Sequence, residues 1–146
     1  MTAATLRAQA IRLLARREYS RAELEERLRA RGGALQEVRA LLEELEGHGY
    51  LSNERYARAV ATRKSGGHGR RRIAAELRAK GVSGENIAAA LAEASPDDAV
   101  TLEALWRRKF GAAPIDEKEK ARQVRFLQSR GFALPAILKL LRGFER

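Results

Sequence analysis

The densest charge in the sequence lies in "KSGGHGRRRIAAELRAKG", Lys64 to Gly81, where Arg70, Arg71 and Arg72 follow a glycine-rich loop. Guanidinium groups beside exposed backbone amides at a helix start suit one chemistry. They can hold a phosphate or carboxylate through charge-assisted hydrogen bonds. The placement opposes the helix dipole, because a cation at an exposed helix N-terminus costs roughly 0.3–1 kcal/mol. A solvated basic turn, its penalty screened by salt, is the alternative. The stretch is not a P-loop: it lacks the lysine–Ser/Thr ending, and no strand pattern precedes it.

Other residue types capable of chemistry are scattered. His48 and His68 are the only histidines, both in turn segments and not at metal-ligand spacing, so each is expected to be a solvated turn residue. The acid pairs Glu25/Glu26 and Glu43/Glu44 fall on charge-rich helical faces and need no catalytic role. No serine or threonine has the surroundings of an activated nucleophile. Cysteine is absent, which rules out disulfides and thiolate metal sites. No catalytic residue, metal site or cofactor is expected.

The elements that must position the arginines are helices throughout. Ala, Leu, Arg and Glu dominate, and no segment alternates with period 2. Start signals recur. "SRAE" (Ser20 to Glu23) is a capping box. Ser52 and Ser83 precede helical runs, "SPDD" joins an N-cap serine to a proline and two acids, and Pro135 opens the last helix. Gly32, Gly81 and Gly131 suit left-handed C-cap positions. These signals predict nine helices of about 10–15 residues, marginal alone and therefore packed on one another.

Repetition organises them. Leu24, Leu28, Gly32, Val38 and Leu42 share spacing with Ile73, Leu77, Gly81, Ile87 and Leu91, and again with Gln123, Leu127, Gly131, Ile137 and Leu141. Gln123 is the polar departure, and Val124 is expected to take over its core role. Upstream, Ile11, Val60 and Phe110 stand at one offset and Arg7, Tyr56 and Trp106 at another; Ile11 and Val60 are read as core and Tyr56 and Trp106 as packing residues. Aromatics are few, which argues against single-strand binding by base stacking. The expected fold is all-α: three tandem three-helix, helix-turn-helix-like repeats, residues 1–51, 52–95 and 96–146, in an elongated, curved array.

Charge separates the repeats. The 146-residue chain carries 29 Lys+Arg against 19 Asp+Glu, a net +10. Residues 1–51 hold 9 basic and 8 acidic groups, residues 52–100 hold 9 and 6, and residues 101–146 hold 11 and 5. With Ile73 and Leu77 inward, Arg71, Ala75 and Arg78 face outward; the third repeat shows Lys118, Arg122 and Arg125 on the matching helix. Such a gradient favours an anionic partner at the C-terminal repeats. No apolar run reaches the roughly 18 residues of a membrane span, and the first residues lack a signal peptide's apolar core, so a cytoplasmic protein is expected. No spare apolar stripe demands a dimer, and a monomer is expected.

The run "GYLSNERYARAVATRKSGGHGRRRIAAELRAKGV", Gly49 to Val82, resembles the signature region of the RecX family, bacterial regulators of the RecA recombinase. "ARREYSRAELEERLRARG" upstream and "KARQVRFLQSRGF" downstream continue the likeness over almost the whole chain. In "SNER", Ser52 or Asn53 stands where an acidic residue is common; both can cap a helix. The resemblance implies association with RecA–single-stranded-DNA filaments, along the helical groove. It also implies inhibition of strand exchange, of ATP hydrolysis and of the coprotease activity that triggers the SOS response. Carried onto this chain, Lys64, Arg70, Arg71, Arg72 and Lys80 would form one contact element. Arg107, Arg108, Lys109, Arg122, Arg125 and Arg130 would form another, meeting phosphate or acidic RecA side chains.

Two rival classes are weaker. "RIAAELRAKGVSGENIAAAL" resembles a helix-turn-helix of a direct DNA-binding regulator, but its second helix is alanine-rich, with Asn86 its only obvious base reader. A membrane-surface protein would need large apolar residues beside the basic face, where alanine stands instead.

Overall fold

A computed structural model describes residues 2–94 and 97–144. Among the described residues there are nine α-helices and no strand. They are α1 (Ala3–Arg16), α2 (Arg21–Ala30), α3 (Leu35–Gly47), α4 (Asn53–Lys64), α5 (Arg70–Ala79), α6 (Gly84–Ala94), α7 (Asp98–Lys109), α8 (Glu117–Ser129) and α9 (Leu134–Arg142).

Local chemistry sets the helix ends. The hydroxyls of Ser20, Ser52 and Ser83 accept from the amides of Glu23, Arg55 and Asn86 at 3.1, 3.1 and 3.2 Å, each satisfying an otherwise unpaired first-turn donor. The Ser20 box is only half built, because the Glu23 carboxylate turns to Arg17 at 2.9 Å and Lys80 at 3.8 Å. Ser95 and Pro96 lie outside the described residues; Asp97 caps α7, accepting from the Ala99 amide at 2.9 Å. Pro135 sits in the first turn of α9. Gly32, Gly81 and Gly131 close α2, α5 and α8 at φ of +99°, +80° and +93°, a region that costs other residues about 1–2 kcal/mol.

The side chains at the repeated positions of the second and third helices are buried in all three triplets. Gln123 corrects one expectation. It keeps the core position at 1% exposure, while Val124 is only half-buried. Its Oε1 accepts from Trp106 Nε1 at 2.9 Å, and its Nε2 donates to the Ala112 carbonyl at 3.1 Å. A buried amide is tolerable when both ends are hydrogen-bonded. Ile11 corrects another: it stands at the offset of buried Val60 but is 37% exposed. In α1 the inward side chains are Leu6, Ala10 and Leu13, a face rotated by one residue from the repeat alignment.

The chain forms two compact units, one joining Met1–Ala59 to Leu77–Ala90 and the other Val60–Glu76 to Leu91–Arg146. They do not follow the helix triplets, since α4, α5 and α6 each give a segment to both. In the first unit α1, α2 and α3 pack around Leu6, Leu24, Leu28, Val38, Leu42 and Leu45. In the second, α9 packs on α7 and α8 around Leu102, Trp106, Leu127, Ile137 and Leu141, and Phe144 stacks on Trp106 at 4.4 Å. Each fully buried Leu or Ile contributes roughly 1.5–3 kcal/mol.

Both units contain the same kind of joint, a glycine turn seated on the start of an earlier helix. In the first unit a Cβ on Gly81 would lie 3.1 Å from the Ala22 Cβ. In the second a Cβ on Gly131 would overlap the Arg72 Cβ and come within 2.8 Å of the Arg72 nitrogen. There Gly69 donates its amide to the Arg130 carbonyl at 2.7 Å, and a Cβ on Gly69 would lie 2.5 Å from the Gly131 oxygen. Two backbones meet directly because neither carries a side chain at the contact.

Candidate functional site

This joint redefines the arginine triplet. Arg70 heads α5, and its amide donates to Asp98 Oδ1 at 3.3 Å, so a carboxylate of the chain already occupies that helix start. Its guanidinium donates to the Leu91 carbonyl at 3.2 Å. Arg72 donates to the Ser129 carbonyl at 2.8 Å and lies 3.9 Å from Glu76. At the helix start an internal acid takes the Arg70 amide, and two backbone carbonyls take two of the three guanidinium groups. The dipole penalty is offset by tertiary hydrogen bonds. Arg71 and Arg72 are both exposed, and of the three only Arg71 has no hydrogen bond or ion pair among the described residues.

The other expected cations divide in the same way. Lys64 pairs with Glu76 at 2.8 Å. Lys80 belongs to the first unit and lies 3.8 Å from Glu23. Burial pushes Glu23 up, but the hydrogen bonds of Arg17 and the charges of Arg17 and Lys80 hold its carboxyl below the ordinary value. Arg107 pairs with Glu103 at 3.0 Å, and Arg122 with Glu119 at 2.8 Å. Exposed pairs of this kind are worth about 0.2–1 kcal/mol, and an external anion can compete for them. Arg108 and Arg125 are exposed and unpaired among the described residues.

The sequence reading singles out Tyr56 and Trp106 as packing residues and misses a role for two phenylalanines. Phe110 and Phe126 meet edge-to-face at 5.5 Å and are half-buried. Lys109 and Arg130 stand over Phe126 at 5.1 and 5.0 Å, and Arg122 over Phe110 at 5.3 Å. Cation–π attraction of about 0.5–1 kcal/mol each orders these cations at the surface of the second unit. The i,i+4 spacing of Phe126 and Arg130 is the signal that could have shown it.

His68 also departs from expectation. It is half-buried, and its Nδ1 is buried without a hydrogen-bond partner among the described residues. Burial, then the charges of Arg130, Lys64 and Arg72, lower its pKa against the opposing pull of Glu76. His48 stays exposed, 3.9 Å from Glu44. The acid pairs serve as ion-pair partners: Glu25 holds Arg39 at 2.9 Å and Glu43 holds Arg21 at 3.1 Å, while Glu44 binds Arg7. Among the described residues no three His, Asp or Glu side chains converge as a metal site, and no helix is long and apolar enough to cross a membrane.

An all-α chain of three-helix modules, with no strand among the described residues, defines a class of helical-repeat proteins. The particular family follows from comparison with known sequences. Residues 52–91 match the family model for the second three-helix domain of RecX, and residues 97–141 that for the third. The regulatory protein RecX of Chromobacterium violaceum is 42% identical over 95% of this chain and 90% of its own length. That of Pseudomonas savastanoi pv. phaseolicola is 43% identical over 97% and 93%. The chain belongs to the RecX family, whose relatives are named as regulatory proteins. The crystal structure of RecX from Lactobacillus salivarius shares the fold, with a TM-score of 0.69 at 18% identity over 97% of this chain and 96% of the other.

Proposed function

We propose that this chain is a non-catalytic modulator that binds RecA–single-stranded-DNA filaments in the bacterial cytoplasm. There it inhibits strand exchange, ATP hydrolysis and coprotease activity. Three modules, bounded at residues 51/52 and 95/96, make successive contacts along the polymer. Linkage makes each later contact intramolecular, so avidity accumulates from weak sites.

Family membership and one observation support this. The charge excess is concentrated where Arg71, Arg108 and Arg125 are exposed without internal partners. These three are the primary contacts to phosphate or acidic side chains. Arg107, Lys109, Arg122 and Arg130 add cations already ordered by acids or rings. Lys64, Arg70, Arg72 and Lys80 add cations whose internal partners an external anion must displace, Arg72 and Lys80 from exposed positions. Direct operator binding is disfavoured by α6, whose exposed residues are Gly84, Glu85, Ala88, Ala89, Ala92 and Glu93. That face offers no base reader and two charges that repel DNA.

The test is a titration into RecA, single-stranded DNA and ATP, following phosphate release. Falling hydrolysis as the protein binds is expected; unchanged hydrolysis at verified saturation overturns the proposal. Arg71→Ala separates binding from folding. It should weaken filament binding and lower the salt slope by roughly 0.7 if the lost contact is a phosphate on a single strand, with helicity and unfolding midpoint unchanged. Arg72→Ala should instead lower the midpoint.

A further inference from the structure

The turn-on-helix joint occurs twice within the chain, and a third turn and a third seat are left over. The Lys80–Gly81 turn rests on α2 at Ala22 and Glu23, and the Ser129–Gly131 turn rests on α5 at Arg72. The corresponding turn after α2, Arg31–Gly32, has the same left-handed glycine, but nothing described lies within 4 Å of where a Cβ would stand. Arg29 and Arg31 beside it are exposed and their guanidinium groups have no partner among the described residues. In the repeat register Ala22 stands two residues before Leu24 and Arg72 one residue before Ile73. The matching seat on α8 is Ala121 and Arg122, before Gln123, and both are exposed.

We propose that the chain associates head to tail with a second copy, the Arg31–Gly32 turn of one seated on the start of α8 of the next. Among the described residues such turns are received by the first residues of a second helix, and the start of α8 receives none. Charge agrees with the match. Arg29 and Arg31 would meet Glu117, which has no partner among the described residues, and compete with the Glu119 amide for Asp116 and with Arg122 for Glu119, as Lys80 shares Glu23 with Arg17 within the chain. The contact is made of backbone and charge rather than an apolar stripe, so hydrophobic periodicity does not reveal it. It is also heterologous: turn and seat are different surfaces, so a single contact between two copies leaves one turn and one seat for further contact. The inference stands independently of the filament reading, because it concerns contacts between copies of this chain alone.

The absence of cysteine allows a direct test on the full-length chain. Arg31→Cys and Ala121→Cys are made as separate single variants at exposed positions, mixed, and oxidised. A heterodimer in excess of both homodimers is expected. The unsubstituted chain should show a sedimentation mass that rises with concentration above that of a monomer. Arg31→Glu and Ala121→Trp should each abolish that rise while helicity by circular dichroism is retained. A mass fixed at monomer, no excess of the mixed disulfide, or a dimer that stops growing and crosslinks through residue 31 to residue 31 would each overturn the proposal.

Discussion

At the residue scale, the Gln123–Trp106 pair shows how a polar side chain can hold a core position. Burial makes an unpaired indole N–H costly, and Gln123 Oε1 at 2.9 Å removes that cost. Gln123→Ala both empties the site and orphans the indole donor. The expected loss is about 2–4 kcal/mol, read as a lower urea midpoint by fluorescence of the single tryptophan. Gln123→Leu restores volume but not the acceptor, so it should recover only part of the loss. The arginine triplet makes the complementary case. Three identical neighbours do different work because 100° per residue sends only Arg71 clear of the neighbouring chain.

Elements are joined here by turns rather than by side-chain interdigitation alone. Gly131→Ala must place a Cβ against Arg72 and also hold φ at +93°. Gly32→Ala meets open space at φ +99° and bears only the conformational cost, about 1–2 kcal/mol. Gly131→Ala is therefore expected to lower the thermal midpoint clearly more than Gly32→Ala; equal shifts would mean that the joint carries no packing energy. The α4–α5 turn adds a pH dependence through His68, surrounded by Arg130, Lys64, Arg72 and Glu76. Its folded-state pKa lies below the ordinary 6.5, so the unfolded chain takes up the proton first as pH falls. Stability is full above that value and declines below it. Comparing midpoints at about pH 7.5 and about pH 5.5, where histidine is the side chain that titrates, should show a decline. His68→Gln should reduce it.

On the scale of the whole molecule, the two compact units share α4, α5 and α6. Helix formation is cooperative, so an element that belongs to both units ties their unfolding together. Leu24→Ala opens a cavity in the core of the first unit, where Leu24 is fully buried, and should cost about 2–5 kcal/mol. Trp106 reports from the second unit. Its fluorescence midpoint is expected to fall together with the circular-dichroism midpoint. A Trp106 transition that stays in place while helicity is lost earlier would show independent units.

The sequence by itself determined the all-α class, most helix ends and the buried positions of the second and third helices in each triplet. Those depend on local caps and on a period of 3.6 residues, both written in neighbouring residues. Ile11 escaped because a one-residue rotation of α1 changes its face without changing the spacing that aligned it. Which cations are free, why Gly69 and Gly131 must both be glycine, and which acid meets the start of α5 were decided only by tertiary structure. Asp98 and Ser129 reach the arginine triplet from 28 and 57 residues away. A partner at that separation leaves no periodic trace, because packing between distant turns, and not the helix repeat, sets the distance.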